Sequence, residues 1–319
     1  MKKKIMGALA LCVILASCGG KKEENTQTET TPQETVVITQ ATTEAKTTVT
    51  TAATTTTQTT TEATEPEYVY TMAKESGELT IRDELRSYVN QNSDTAGWIR
   101  VGGTMINDPV VQCDNNDYYL NHNFYGNSYY GGTIFADYRG KVNDYTQNQC
   151  NNIILYGHNQ ADGTMFGTLS KYKIKKENTS NFDFYKNHPT FEFSNLYHNY
   201  VYKIIATFVL EVEPYQVRPE DELFDYQNFI IFVRDHEKYN FDNWMDHIME
   251  RSEIITGVDT DETDKYCTLS TCSNEFDQSR LIVVGRRVRQ DESEEVDTSA
   301  AKLNPDAKEP DWSYIYYGR

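Results

Sequence analysis

The sequence predicts a mainly β domain, closed as a barrel or paired as a sandwich, behind a long unstructured arm. Eight short segments rich in β-branched and aromatic residues recur between Gly97 and Val288, broken by Gly, Asn and Asp turns. Few stretches carry helical spacing. Lys21 to about Glu67 is dominated by threonine and has too few large apolar residues to bury a core. The formal charge of −18, with no basic patch of useful size, argues against nucleic acid as a partner.

From the N-terminus, Lys2-Lys3-Lys4 precede an apolar stretch from Ile5 and then Leu15-Ala16-Ser17-Cys18-Gly19. A run this short fits a secretory signal over residues 1–17 better than a membrane span, which needs about 20 residues. Leu-Ala-Ser-Cys resembles a bacterial lipoprotein cleavage box, which would make Cys18 the lipidated first residue; the alternative is an uncleaved anchor. Both readings put the remainder on the extracytoplasmic face of the cell membrane. Residues 18–77 are expected to be a disordered Thr-rich tether, 78–290 the folded domain and 291–319 an acidic tail with an aromatic end.

Within the domain, Ile81, Leu85 and Val89 recur at helical spacing over Ile81 to Gln91, and Asn92-Ser93-Asp94 ends that helix. Gly97 to Val101 and Thr104 to Gln112 read as strands joined at Gly102-Gly103, a hairpin signal. Tyr118-Tyr119-Leu120 is a short helical turn or loop. Gly132 to Ala136, Asn152 to Tyr156, Thr190 to Phe193 and Tyr200 to Leu210 continue the strand count, and Tyr266 to Thr271 and Leu281 to Val288 complete it. Between Glu211 and Asp264 lies an insertion in which Phe241, Trp244, Met245, Ile248 and Met249 share one helical face, with Asn240 placed to cap it. That stripe is expected to pack on the strands. After Arg289 the chain turns acidic through Asp291, Glu292, Glu294 and Glu295, a mobile linker by composition, and then carries Trp312-Ser313-Tyr314-Ile315-Tyr316-Tyr317.

Chemistry concentrates at the last two strands. A strand ending on Cys272, followed by a polar turn and a strand starting after Arg280, sets a thiol beside a guanidinium, which favours the thiolate and offers fixed donors for an oxyanion. The chain has six histidines, and only His158 follows a buried strand that ends on a glycine, Gly157. It is the candidate general acid and base. Cys12 and Cys18 fall in the signal; Cys113 and Cys150 could pair in an exported protein, which the sequence leaves open, and Cys267 reads as a small core residue. The scattered histidines, the absence of Cys-x-x-Cys and the lack of an EF-hand spacing or a phosphate-cradling loop predict catalysis without a metal or other cofactor.

Taken together, ILYGHN…DGTMFGTLSKY and LSTCSNEF…RLIVVGRR resemble the class B sortases, cysteine transpeptidases of Gram-positive cell surfaces, over roughly Leu85 to Arg289. The resemblance implies an eight-stranded sortase-type β-barrel, with an N-terminal helix and a helix between the sixth and seventh strands walling a substrate groove. It implies Cys272 as nucleophile, His158 as acid and base, and Arg280 as the holder of the oxyanion or the substrate backbone. Asn116 and Leu120, in an Asn-x-x-x-Leu pattern, and Ser270, two residues before the nucleophile, match groove positions. Family members often carry an acidic residue directly after the cysteine; Ser273 stands there in this chain. Expected partners are C-terminal sorting signals of secreted proteins and an amine of a peptidoglycan precursor or a pilin. The rival readings are a cysteine endopeptidase with water as acceptor and a non-catalytic peptide-binding surface lipoprotein.

Overall fold

The structure, a computed structural model, describes residues 80–143, 150–174 and 179–318. The signal, Cys18 and the whole of the tether lie outside the described residues. Eight strands close a barrel. They are β1 (Thr95–Arg100), β2 (Asn107–Val111), β3 (Phe135–Ala136), β4 (Asn152–Tyr156), β5 (Thr190–Asn195), β6 (Val201–Leu210), β8 (Tyr266–Cys272) and β9 (Arg280–Arg287). The order around the barrel is β1-β2-β3-β4-β8-β9-β6-β5, with β5 returning to β1. All pairs are antiparallel except β2 with β3 and β4 with β8. Closure, rather than a sandwich, leaves no free edge to protect.

All eight strands coincide with segments expected from the sequence, and the differences are at their ends. Gly132 to Ala136 shrinks to a two-residue β3, because Gly132 adopts φ +61° and spends its half of the segment in a turn. Likewise Gly103, at φ +69°, supplies the hairpin turn before β2. The longest strands, β6 and β9, are buried at nearly every position. β9 reads as a continuous Leu-Ile-Val-Val run, whereas β6, which reads as alternating, is covered on both faces all the same.

Among the described residues, four α-helices lie outside the barrel: α1 (Asp83–Gln91), α2 (Ser180–Asn187), α3 (Phe241–Arg251) and α4 (Trp312–Tyr317). In α1, Leu85 is the buried residue and Tyr88 meets Trp98 of β1 edge-on at 5.0 Å. The insertion between β6 and β8 carries α3, whose Trp244, Met245 and Ile248 are buried where the helix lies against β6. The Asn240 side chain accepts from the Asn243 amide at 2.7 Å, the cap expected from the sequence. Replacing Asn240 with alanine is expected to cost about 1 kcal/mol in urea unfolding, with the slope against urea unchanged.

Beyond the last barrel strand, Glu292 holds the buried Arg286 at 2.6 Å and Lys203 at 2.7 Å. These cations pull its carboxyl far below the usual range. Further on, β10 (Lys302–Leu303) pairs antiparallel with β7 (Ile254–Ile255), which follows α3. No helix among the described residues is long and apolar enough to cross a membrane.

Candidate active site

Two strand pairings assemble the site. In the antiparallel pair β8 and β9, Cys272 stands directly opposite Arg280, so the side chains of the two residues share a face. In the parallel pair β4 and β8, Tyr156 is level with Ser270. Continuing that register by two residues sets His158 level with Cys272. Bonds past the strand end hold it there: Gly157 donates its amide to Ser270 O at 3.3 Å, Thr271 Oγ1 donates to Gly157 O at 2.7 Å, and Asn159 Nδ2 donates to Cys272 O at 2.8 Å.

The imidazole is oriented from the opposite side. His158 Nε2 lies 2.7 Å from the carbonyl oxygen of Leu120. A carbonyl only accepts, so the proton sits on Nε2, and Nδ1 is the nitrogen left to exchange a proton in the neutral ring. This close approach depends on Gly132. A Cβ there would sit 2.5 Å from Tyr119 O, 2.8 Å from Leu120 O and 3.1 Å from His158 Cδ2, and its φ of +61° already disfavours other residues.

Arg280 is buried, and its guanidinium is pinned by the turn before it. Nη1 donates to Gln278 O at 3.0 Å and Ser279 O at 3.1 Å, and Nη2 donates to Gln278 Oε1 at 3.2 Å. Gln278 serves both contacts from φ +58°, and Asn274 in the same turn sits at φ +63°. Asparagine tolerates that region, whereas glutamine there costs on the order of 1 kcal/mol, strain that the surrounding bonds must sustain. Lys173 braces the turn through Glu275 Oε1 at 3.0 Å, and the Ser273 amide donates to Ser279 O at 3.0 Å across its neck.

Ser270, on the same face of β8 as Cys272, is buried and shares a hydrogen bond with Tyr226 Oη at 2.9 Å. Burial raises the Tyr226 phenol, partly offset by the Arg280 charge nearby. Tyr226 comes from the insertion before α3, so the insertion reaches the floor of the site.

Asn116, matched by the resemblance to a groove position, is bonded on both sides of its side-chain amide. Its Nδ2 donates to Asp137 Oδ2 at 3.0 Å, and its Oδ1 accepts from the Tyr138 amide at 3.0 Å. Asp137 is fully buried and also accepts from Tyr156 Oη at 3.0 Å and from Arg139 through Nε at 2.9 Å and Nη2 at 2.8 Å. Arg139 then reaches Gln227 O at 2.8 Å and Asn228 Oδ1 at 2.8 Å, beside Tyr226. Burial alone would raise the Asp137 carboxyl, but the bonds and charge of Arg139 outweigh it and hold the pKa below the ordinary value. Sequence reasoning missed this network; the weak signal was a charged pair, Asp137 and Arg139, immediately after a buried strand.

Because the native pKa of Asp137 is depressed, its stabilising contribution is complete above the unfolded carboxylate value of about 4 and is lost as pH falls through the native value. The stability gap between the wild type and Asp137→Asn, followed by urea unfolding, is therefore expected to be constant near neutrality and to shrink as the pH drops below about 4.

Leu120 acts here through its carbonyl on His158, while its side chain is half-buried beside Val111, Tyr119 and Phe135. Cys113 and Cys150 are unpaired thiols, and Cys267 is fully buried, which pushes its thiol up. Cys272 is partly exposed. Among the described residues no group of His, Cys, Asp or Glu is placed to hold a metal ion.

A closed barrel whose rim gathers a cysteine, a histidine and an arginine from three neighbouring segments has the architecture of a cysteine acyl-transfer enzyme. Comparison with known proteins agrees. The family model described as the sortase domain matches residues 104–288. Sortase B of Listeria monocytogenes is 32% identical over 210 residues, covering 65% of this chain and 75% of that protein. Sortase B of Staphylococcus aureus is 30% identical over 212 residues, covering 66% and 76%. Among solved structures, a Bacillus anthracis protein described as similar to sortase B superposes with a TM-score of 0.52 at 29% identity, covering 69% of this chain and 89% of that one. A Staphylococcus aureus sortase B–substrate complex gives 0.52 at 28% identity, covering 66% and 86%. The chain belongs to the sortase family, and within it to class B.

Proposed function

We propose that this chain is a transpeptidase that cleaves a C-terminal sorting signal of a secreted protein and joins the new carboxyl end to an amine. The observation that carries the reading is the register that sets Cys272 opposite Arg280, with the segment of His158 fastened alongside by the Asn159 bond to Cys272 O. The Cys272 thiolate attacks the scissile carbonyl carbon and pushes an electron pair onto its oxygen. Collapse of that tetrahedral species breaks the C–N bond, His158 delivers from Nδ1 to the departing amine the proton it took from the Cys272 thiol, and a thioester remains on Cys272. An incoming amine then loses a proton to His158, forms the new amide and releases the thiolate. No step needs a cofactor.

Arg280 is suited to the oxyanion. Of its five N–H donors, three are used on Gln278 and Ser279, which leaves Nε–H and one Nη2–H for a substrate oxygen. A fixed donor aimed at developing charge in such a site is worth about 3 kcal/mol. Asn116 has one N–H and one lone pair beyond its bonds to Asp137 and Tyr138, enough to meet one peptide group of an extended substrate. With Leu120 and Ser270 it would line the groove floored by Tyr226. The Staphylococcus aureus sortase B captured with substrate supports peptide binding of this kind.

Localisation is part of the reading: the basic start, the short apolar run and the Leu15-Ala16-Ser17-Cys18 box support export and a lipid on Cys18, with the Thr-rich arm spanning outward from the membrane. The acceptor is a wall-precursor or pilin amine. Mass spectrometry of products formed from a peptide library, with and without added oligoglycine or a diamino acid peptide, tests this. Amide-linked product with the added amine is expected; hydrolysis alone in its presence would make the enzyme an endopeptidase.

A further inference from the structure

The segment from Lys302 to Gly318 lies beyond the residues matched by the sortase family model, and it packs against the turn that follows the nucleophile. It begins as β10 on β7, and Asn304 extends the pairing by donating its amide to Glu253 O at 2.9 Å and Nδ2 to Ser252 O at 2.8 Å. The Lys308 amide reaches Glu250 O at 2.8 Å, at the end of α3. Asp311 forms an ion pair with Arg218 at 2.7 Å and caps α4 by accepting from the Tyr314 amide at 2.9 Å. The Arg218 guanidinium also lies over the Tyr314 ring, 5.3 Å from its centre.

This anchoring delivers two aromatic side chains to the 273–279 turn. Trp312 meets Phe276 edge-on, with ring centres 5.6 Å apart, and Tyr316 Oη donates to Glu275 O at 2.6 Å. Phe276 is buried as a result of its position between the turn and the segment. Its carbonyl accepts from the Ser279 amide at 3.2 Å and from Ser279 Oγ at 2.9 Å, one residue before Arg280. From the insertion, Gln216 bonds to Asp277 O, and the turn Pro214–Gln216 lies against α4. The turn holds two non-glycine residues in left-handed backbone and carries Cys272 and Arg280 at its two ends. A strained turn of this kind keeps its shape only while its surroundings over-determine it.

We propose that Lys302–Gly318 is a positioning strap for acyl transfer: by gripping Glu275 and Phe276 it holds the turn in the shape that presents Cys272 and Arg280 to substrate. Trp312 is its principal positioning residue and Tyr316 a secondary one. The inference rests on Cys272 being the nucleophile. It concerns kcat rather than substrate affinity, because the strap grips the turn between nucleophile and guanidinium through Glu275 and Phe276.

The test uses the full chain and its Trp312→Ala, Trp312→Phe and Tyr316→Phe variants. Amide hydrogen exchange over residues 273–279, alkylation of Cys272 by iodoacetamide, and kcat and KM for the peptide selected from the library are measured on each. Trp312→Ala is expected to speed exchange in the turn at least tenfold and to lower kcat about tenfold with KM within twofold. Trp312→Phe should restore kcat to within threefold. Tyr316→Phe, which deletes only the bond to Glu275, should lower kcat about threefold and keeps the test open if Trp312→Ala does not fold. Unchanged exchange in the turn, unchanged kcat, or a kcat that rises on loss of the strap would each overturn the proposal. Exchange and alkylation do not require turnover, so a chain that is inactive toward every peptide would sink the transpeptidase reading while the strap's grip on the turn is still measured.

Discussion

Replacing Cys272 with alanine is expected to lower kcat/KM for peptide cleavage by at least about 10⁴-fold, roughly 5 kcal/mol of transition-state stabilisation. Removing the sulfur leaves no atom to form the thioester, and water would have to attack without a general base built for it. His158→Ala is expected to fall by about 10³-fold, because both the departing and the incoming amine exchange a proton with the ring. Combined with Cys272→Ala it should add almost nothing, since groups acting on one step are not additive. Arg280→Lys keeps the charge but loses the planar fork that bridges Gln278, Ser279 and the substrate, so a loss of about 10²-fold in kcat with a native fold is expected. Circular dichroism and urea unfolding on each variant separate loss of chemistry from loss of structure. A Cys272→Ala variant within tenfold of the wild type would refute the nucleophile assignment.

Asp137→Asn is expected to destabilise the fold by about 3 kcal/mol, the second large effect. Breaking a buried ion pair by neutralising one partner typically costs 3–5 kcal/mol, because the other charge is left uncompensated. The lower end applies here, since the Arg139 side chain is 32% exposed and solvent recovers part of its charge. Asp137 also accepts from Asn116 and Tyr156, and Arg139 ties the network to Gln227 and Asn228. The same substitution should therefore loosen the groove floor and raise KM for peptide more than it lowers kcat. Denaturant unfolding at neutral pH gives the first quantity and steady-state kinetics the second. A destabilisation below about 1 kcal/mol would show that the network is far wetter than its burial indicates.

These two effects differ in how far the sequence announces them. The three residues of the proposed site are legible because each sits where a regular pattern stops: Cys272 at the end of a β-branched run, His158 just after a strand-ending glycine, and Arg280 at the head of an apolar run. The eight strands are legible for the same reason. Period-two and continuous apolar runs survive in a barrel whose strands are buried on one face or on both. Pattern alone did not choose a barrel over a sandwich, because closure depends on β5 finding β1 across about ninety residues of chain. The short β3 was overestimated, since a glycine-led segment looks the same whether its first half is paired or turning.

The Asp137 network was invisible for a different reason. Apart from the Asp137–Arg139 pair its members, Asn116, Tyr156, Gln227 and Asn228, are distant in the string, and each taken singly looks like a turn residue or an ordinary strand tyrosine. Only the antiparallel pairing of β3 with β4 and the return of the insertion at Gln227 and Asn228 bring them together. Leu120 contributes a backbone carbonyl to His158, a role that no side-chain reading can anticipate. The acidic stretch after Arg289 reads as a mobile linker because composition does not show that Glu292 faces the buried Arg286 and Lys203.

The most direct measurement is the site of the covalent intermediate. The full chain, quenched in acid during turnover of a sorting peptide and digested, is examined by peptide-level mass spectrometry for the acyl mass. The account predicts that mass on the peptide carrying Cys272, and its disappearance when a competing amine is added before the quench. An acyl group on Cys113, Cys150 or Cys267, or turnover with no acyl-enzyme at any time point, would contradict it.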